Sequence, residues 1–162
     1  MPTFKNPLPE NIEYQVENMN TFLDADFKRT KKQYDIFDAI DNNKKFLLEC
    51  KHRTINYARF PDTIIGVNKY IEAKKKYPDY DFYATFLFTD GMYCYKFDNN
   101  KTIEEQGIFT TTKKYNKYLT SGYVKEHMNI PINLLKFVCK NTDHMIQQYG
   151  ELPKGRCLIK IQ

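Results

Sequence analysis

Tyr34-Asp35-Ile36-Phe37-Asp38-Ala39-Ile40-Asp41-Asn42-Asn43-Lys44-Lys45-Phe46-Leu47-Leu48-Glu49-Cys50-Lys51 is the stretch whose reading decides the fold. Tyr34 to Ile40 reads as a strand, Asp41-Asn42-Asn43-Lys44 has the turn chemistry of a hairpin, and Lys45 to Lys51 returns antiparallel. Side chains alternate along a strand, so Glu49 and Lys51 share one face while Leu48 and Cys50 take the other. Antiparallel pairing brings the start of the first strand beside the end of the second. Asp35 is therefore expected to return to Glu49 and Lys51. Asp38 is its rival: in a regular strand Phe37 shares the face of Asp35, and only a bulge brings Asp38 to that side.

Outward from the hairpin, the pattern is α/β. Ile12, Val16, Met19 and Leu23 recur at helical spacing after Pro7 and Pro9, with Glu13 and Glu17 on the flank. Downstream, Pro61 and Asp62 are expected to open a second helix, Asp62 as N-cap, with Ile64, Val67, Tyr70 and Ile71 as its apolar positions. Phe82 to Thr89 is a near-continuous apolar run that suits a strand buried on both faces. Asp90-Gly91 signals a tight turn into another strand, Met92 to Phe97. Beyond it, Ile132 to Val138 is expected to form a short helix and Cys157 to Ile161 a last short strand. Helix, hairpin, helix and two strands predict a mixed central sheet flanked by helices.

The 162 residues fit a single domain, with a core at about 12–97 and a C-terminal elaboration at about 98–162. Hydrophobic residues make up 41%, a globular and not a disordered composition. No apolar run is long enough to span a bilayer, and the N-terminal residues lack signal-peptide features, so an intracellular protein, cytoplasmic or nuclear, is expected. The four cysteines are scattered without metal-ligand spacing, which argues against a zinc site. The net charge of +5 permits a polyanionic partner without requiring one. Abundant Lys, Asn, Ile and Tyr point to an AT-rich coding genome, as in many viruses and phages.

Two carboxylates and an ammonium converging from one hairpin suit metal-assisted phosphodiester hydrolysis. Mg²⁺, with Mn²⁺ as a substitute, takes one or two carboxylates plus phosphate oxygens. Asp35 and Glu49 would bind it, the Cys50 backbone carbonyl could add a third oxygen, and Lys51 would assist the water or offset charge on the phosphate. Arg53 keeps the face of Lys51 and is a candidate phosphate contact. Lys113, Lys114 and Lys117 lie in a Lys/Tyr-rich segment suited to a nucleic-acid rim, with Tyr115 and Tyr118 for stacking. His52 directly follows the site and is expected to pack or meet solvent, and His127 and His144 carry no recognisable motif context.

Asp35 followed, after a hairpin turn, by Glu49-Cys50-Lys51 resembles the PD-(D/E)xK nuclease superfamily, which includes restriction endonucleases, Holliday-junction resolvases and many phage or viral nucleases. Tyr34 stands where the motif has proline. The resemblance covers roughly Ile12 to Phe97. It implies a restriction-endonuclease-like αβββαβ core and a Mg²⁺-dependent endonuclease acting on DNA. Because many members pair to cut both strands, it also implies a homodimer. It further implies an auxiliary metal-binding acid on the first helix, Glu13 or Glu17 with Glu13 preferred, and a nucleic-acid-binding Lys69 on the helix after the motif. A non-catalytic nucleic-acid-binding module on the same fold and an RNA-directed endonuclease are the alternatives.

Overall fold

The computed structural model describes residues 11–30, 36–115 and 123–141. Helix α1 spans Ile12–Leu23 and buries Val16 and Met19, as its spacing predicts. It ends where Asp24 turns left-handed, a conformation that short polar side chains tolerate. Strands β1 (Lys28–Arg29), β2 (Ala39–Asp41) and β3 (Phe46–His52) follow as an antiparallel meander.

The hairpin turn lies where the sequence places it, and the reason is Asp41. Its Oδ1 accepts the backbone N–H of Asn43 and Lys44, each at 2.9 Å, and its Oδ2 accepts that of Asp26 at 2.7 Å. Burial works against ionisation of this carboxyl, but the three backbone donors outweigh it and hold its pKa below the usual carboxylate value. Asp41→Ala should therefore destabilise the fold by about 2 kcal/mol in urea denaturation near neutral pH. A lowered pKa in the folded state gives stability that is present above the unfolded value and lost as pH falls through the folded one. The parent and the variant should therefore converge in acid.

The first strand of the expected hairpin is shorter than the sequence suggests. Regular pairing stops at Ala39↔Leu48, and Ile36, Phe37 and Asp38 form a bend. Asp62–Gly66, expected to open the second helix, is instead strand β4. Thr63-Ile64-Ile65 is β-branched throughout, with Thr63 and Ile65 buried in alternation, and it finds a ladder partner in β8. Helix α2 begins only at Val67 and runs to Lys76 (Val67–Lys76), burying Val67, Tyr70 and Ala73 and leaving Ile71 exposed.

Strand β5 (Asp81–Phe88) is buried on both faces, as expected, and turns at Thr89-Asp90 into β6 (Gly91–Lys96). The chain continues through β7 (Phe109–Tyr115) and β8 (Tyr123–Pro131). Ile132 to Val138 is not the expected helix: one 3₁₀ turn, Ile132–Leu134, leads into β9 (Lys136–Cys139), which pairs with β6. Cys157 to Ile161 lies outside the described residues.

The main sheet has the order β1-β2-β3-β5-β6-β9, mixed because β3 and β5 run parallel while the other pairs are antiparallel. A second antiparallel sheet, β4-β8-β7, packs with α2 over one face, where Leu47, Phe82, Phe86, Ile65, Met128 and Ile130 form a core. Helix α1 covers the other face, over Leu48, Cys50, Leu87 and Met92. The C-terminal part thus completes both sheets. No helix among the described residues is long and apolar enough to cross a membrane.

Candidate active site

Strand β3 carries the site because its two faces meet different neighbours. Leu48 and Cys50 turn under α1, while Leu47, Glu49 and Lys51 face α2. The Glu49 side chain is only 4% exposed. Its Oε2 lies 3.3 Å from Lys51 Nζ and its Oε1 3.5 Å from Lys69 Nζ on α2. That second approach is an ion pair but not a hydrogen bond, and Oε1 is buried with no hydrogen-bond donor among the described residues. Lys69 also donates to the carbonyl of Ile36, which fixes its ammonium beside the bend before β2. Both ammonium groups reach solvent in part.

The second carboxylate at the site is Asp38. Where the β2–β3 ladder ends, Asp38 Oδ2 accepts the backbone N–H of Cys50 at 2.8 Å, in place of a main-chain carbonyl. The bend at Ile36 to Asp38 supplies the irregularity that a regular strand lacks. Asp35 lies outside the described residues.

Burial is the largest influence on Glu49, and the negative charge of Asp38 adds to it. Together they overcome Lys69 and Lys51 and push the Glu49 carboxyl up to about 7. A structural ion pair would normally satisfy its buried oxygens; this one leaves an oxygen orphaned and a carboxyl poised near neutrality.

The sign of the stability effect follows. Between about 4.5 and about 7 the folded chain holds a proton that the unfolded chain has released, so stability falls as pH rises through that window. Glu49→Gln should abolish this slope. In EDTA at pH 8 it should stabilise the chain by up to about 3 kcal/mol, less whatever the two lysines lose. Parallel denaturation series from pH 5 to 8 measure it, and equal slopes for parent and variant would contradict it.

The remaining sequence-predicted residues fall elsewhere. Glu13 is 86% exposed in its side chain and pairs with Arg29 at 3.1 Å, and Glu17 is exposed. Helix α1 brings neither acid to Glu49, because the helix packs on the opposite face of β3. Arg53 donates to the Ile64 carbonyl at 2.6 Å and lies over the Phe86 ring, so it ties the two sheets together. Lys113 and Lys114 lie on β7, opposite Lys125 and Val124. Lys117 and Tyr118 lie outside the described residues. The Cys50 carbonyl stays on β3 one residue past Glu49, and its N–H is the one Asp38 takes.

Sequence reasoning missed Gln15. This fully buried amide donates to the Lys51 carbonyl at 3.2 Å and accepts the Thr85 hydroxyl at 2.5 Å. Its one signal was its position beside Val16 and Met19 on the buried face.

Among the described residues no three His, Cys, Asp or Glu side chains come together as a metal-holding group. No protein-family model, no curated protein and no solved structure matches this chain.

Proposed function

We propose that this protein is a Mg²⁺-dependent nuclease of the PD-(D/E)xK type that cuts DNA. One observation carries the reading: a nearly buried carboxylate, Glu49, has an oxygen without a hydrogen-bond donor among the described residues, near the charge of Asp38 and between two lysines. The element order adds support. A helix, a three-stranded antiparallel meander, a second helix and a strand parallel to β3 resemble the αβββαβ core of that superfamily, with β4 inserted before α2.

Asp38 and Glu49 fit a hard divalent cation, which prefers one or two carboxylates with its remaining positions left to water and phosphate. Such an ion, when bound, would supply positive charge for the phosphate and a more acidic water. The chain's own groups do the rest. Lys51, 3.3 Å from Glu49, orients the attacking water and offsets charge as the water oxygen bonds to phosphorus and the P–O ester bond breaks. Lys69, held by the Ile36 carbonyl, faces the same phosphate from the α2 side. Asp38 keeps its carboxylate in place through the Cys50 N–H.

The reading takes DNA as substrate, a homodimer as the form that cuts both strands, and the cytoplasm or nucleus as the place of work. Its test is cleavage of linear duplex, branched and single-stranded DNA and of RNA, each with Mg²⁺ and with EDTA. Metal-dependent cutting of DNA is the expected result. Cutting of RNA alone reassigns the substrate, and no cutting of any of them overturns the nuclease reading in favour of a binding module.

A further inference from the structure

A cavity of about 430 Å³ opens on the α2 side of the main sheet. Phe37, Ile40, Leu47 and Tyr77 are its apolar walls, and Asn42 and Lys76 supply polar groups. It adjoins the acid–lysine cluster. Leu47 and Glu49 are successive residues on one face of β3, about 7 Å apart along the strand. Phe37 directly precedes Asp38. Lys69 marks the boundary: its ammonium bonds the carbonyl of Ile36, another lining residue, and stands 3.5 Å from Glu49.

We propose that this cavity receives the nucleobase of the nucleotide adjoining the cleaved phosphate, so that the preferred substrate is single-stranded or carries an unpaired base at the cut. The inference rests on the nuclease reading for the position of the phosphate, and the cavity supplies the rest. Its volume lies low in the range of small-ligand pockets, enough for one base with its sugar and too small for a stacked pair. Phe37 and Leu47 form its buried floor and Ile36, Ile40 and Tyr77 its half-buried sides, with Tyr77 set edge-on to Phe37 at 6.0 Å, apolar surfaces on which a flat π-system can rest. Among the described residues no acid lines it and Lys76 is the one cation. The Asn42 amide oxygen accepts the Tyr80 hydroxyl at 2.8 Å, which orients its NH₂ group to donate to a base edge. A base inside a duplex reaches such a pocket only by leaving its stack, which costs least where it is already unpaired.

Two variants test this away from the acids and lysines. Ile40→Trp fills the cavity and Tyr77→Ala removes its ring. The probes are oligothymidine, a duplex containing it, and a base-free deoxyribose-phosphate strand of the same length. The parent should cut oligothymidine about tenfold or more faster than the duplex. Each variant should lose about tenfold on oligothymidine and nothing on the base-free strand. Equal rates for parent and variants on oligothymidine overturn the proposal, as do equal losses on the base-free strand. Should Ile40→Trp fail to fold by circular dichroism, Tyr77→Ala decides alone. If the parent cuts no probe, the nuclease reading falls by itself, and fluorescence anisotropy of labelled oligothymidine in EDTA then judges the pocket. Binding about tenfold weaker in the variants supports it, and unchanged binding overturns it.

Discussion

Lys51→Met should slow Mg²⁺-dependent cleavage by about 10³-fold while leaving the chain folded. Methionine keeps the straight apolar stem along the α2 face and removes only the ammonium. Two consequences separate loss of chemistry from loss of structure. The urea midpoint near pH 7 should barely move, since Glu49 is close to half-protonated there and gives up only part of an ion pair. The residual rate should also rise at a higher pH than in the parent, because one of the two cations favouring ionised Glu49 is gone. Single-turnover cleavage between pH 6 and 9 measures both rate and midpoint. A Lys51→Met rate within threefold of the parent would remove this lysine from the mechanism.

The second large effect concerns which aspartate partners Glu49. Asp38→Asn retains an oxygen that can accept the Cys50 N–H, so the end of the β2–β3 ladder survives while the negative charge disappears. Cleavage should fall on the order of 10³-fold, with a raised Mg²⁺ requirement. The metal-free fold should become slightly more stable above pH 7, because Glu49 loses its anionic neighbour. Asp35→Asn is the companion measurement, expected to stay within about tenfold of the parent. The reverse outcome, with Asp35→Asn inactive and Asp38→Asn active, returns the ligand role to the position the motif spacing first suggested.

The contrast between those aspartates shows where the sequence was legible. Apolar and charged residues alternate through Leu48-Glu49-Cys50-Lys51, so the faces of β3 were readable, as were the spacing of α1 and the apolar run of β5. Asp38 was not, because its position depends on where the ladder stops, and a bend leaves no periodic mark. Lys69 was reached only through the resemblance, and the structure brings it to Glu49 by way of the Ile36 carbonyl. Glu13 and Glu17 flank the apolar stripe that the spacing marks, and the structure packs that stripe on the Cys50 side of the sheet, away from Glu49. β4 and β9 failed as helices because Ile64-Ile65 and Phe137-Val138 fit either period over so short a run. Only their partners β8 and β6 decide between the two.

Gln15 has a consequence for how faithfully the sheet assembles. The parallel pairing of β3 with β5 must be found across an intervening strand and helix, and apolar side chains on both faces of β5 tolerate more than one alignment. A slip of one residue would push Glu49 beneath α1 among Val16 and Met19, and turn Cys50 toward the lysines. Gln15 penalises that error, since its amide reaches the Lys51 carbonyl and the Thr85 hydroxyl together only when Cys50 lies opposite Thr85. A misaligned chain would bury an orphaned amide at a cost of about 1–3 kcal/mol for each group left unpaired. The polar residue inside the apolar layer thus acts as an alignment key, and the acid–lysine cluster on the far side inherits its accuracy.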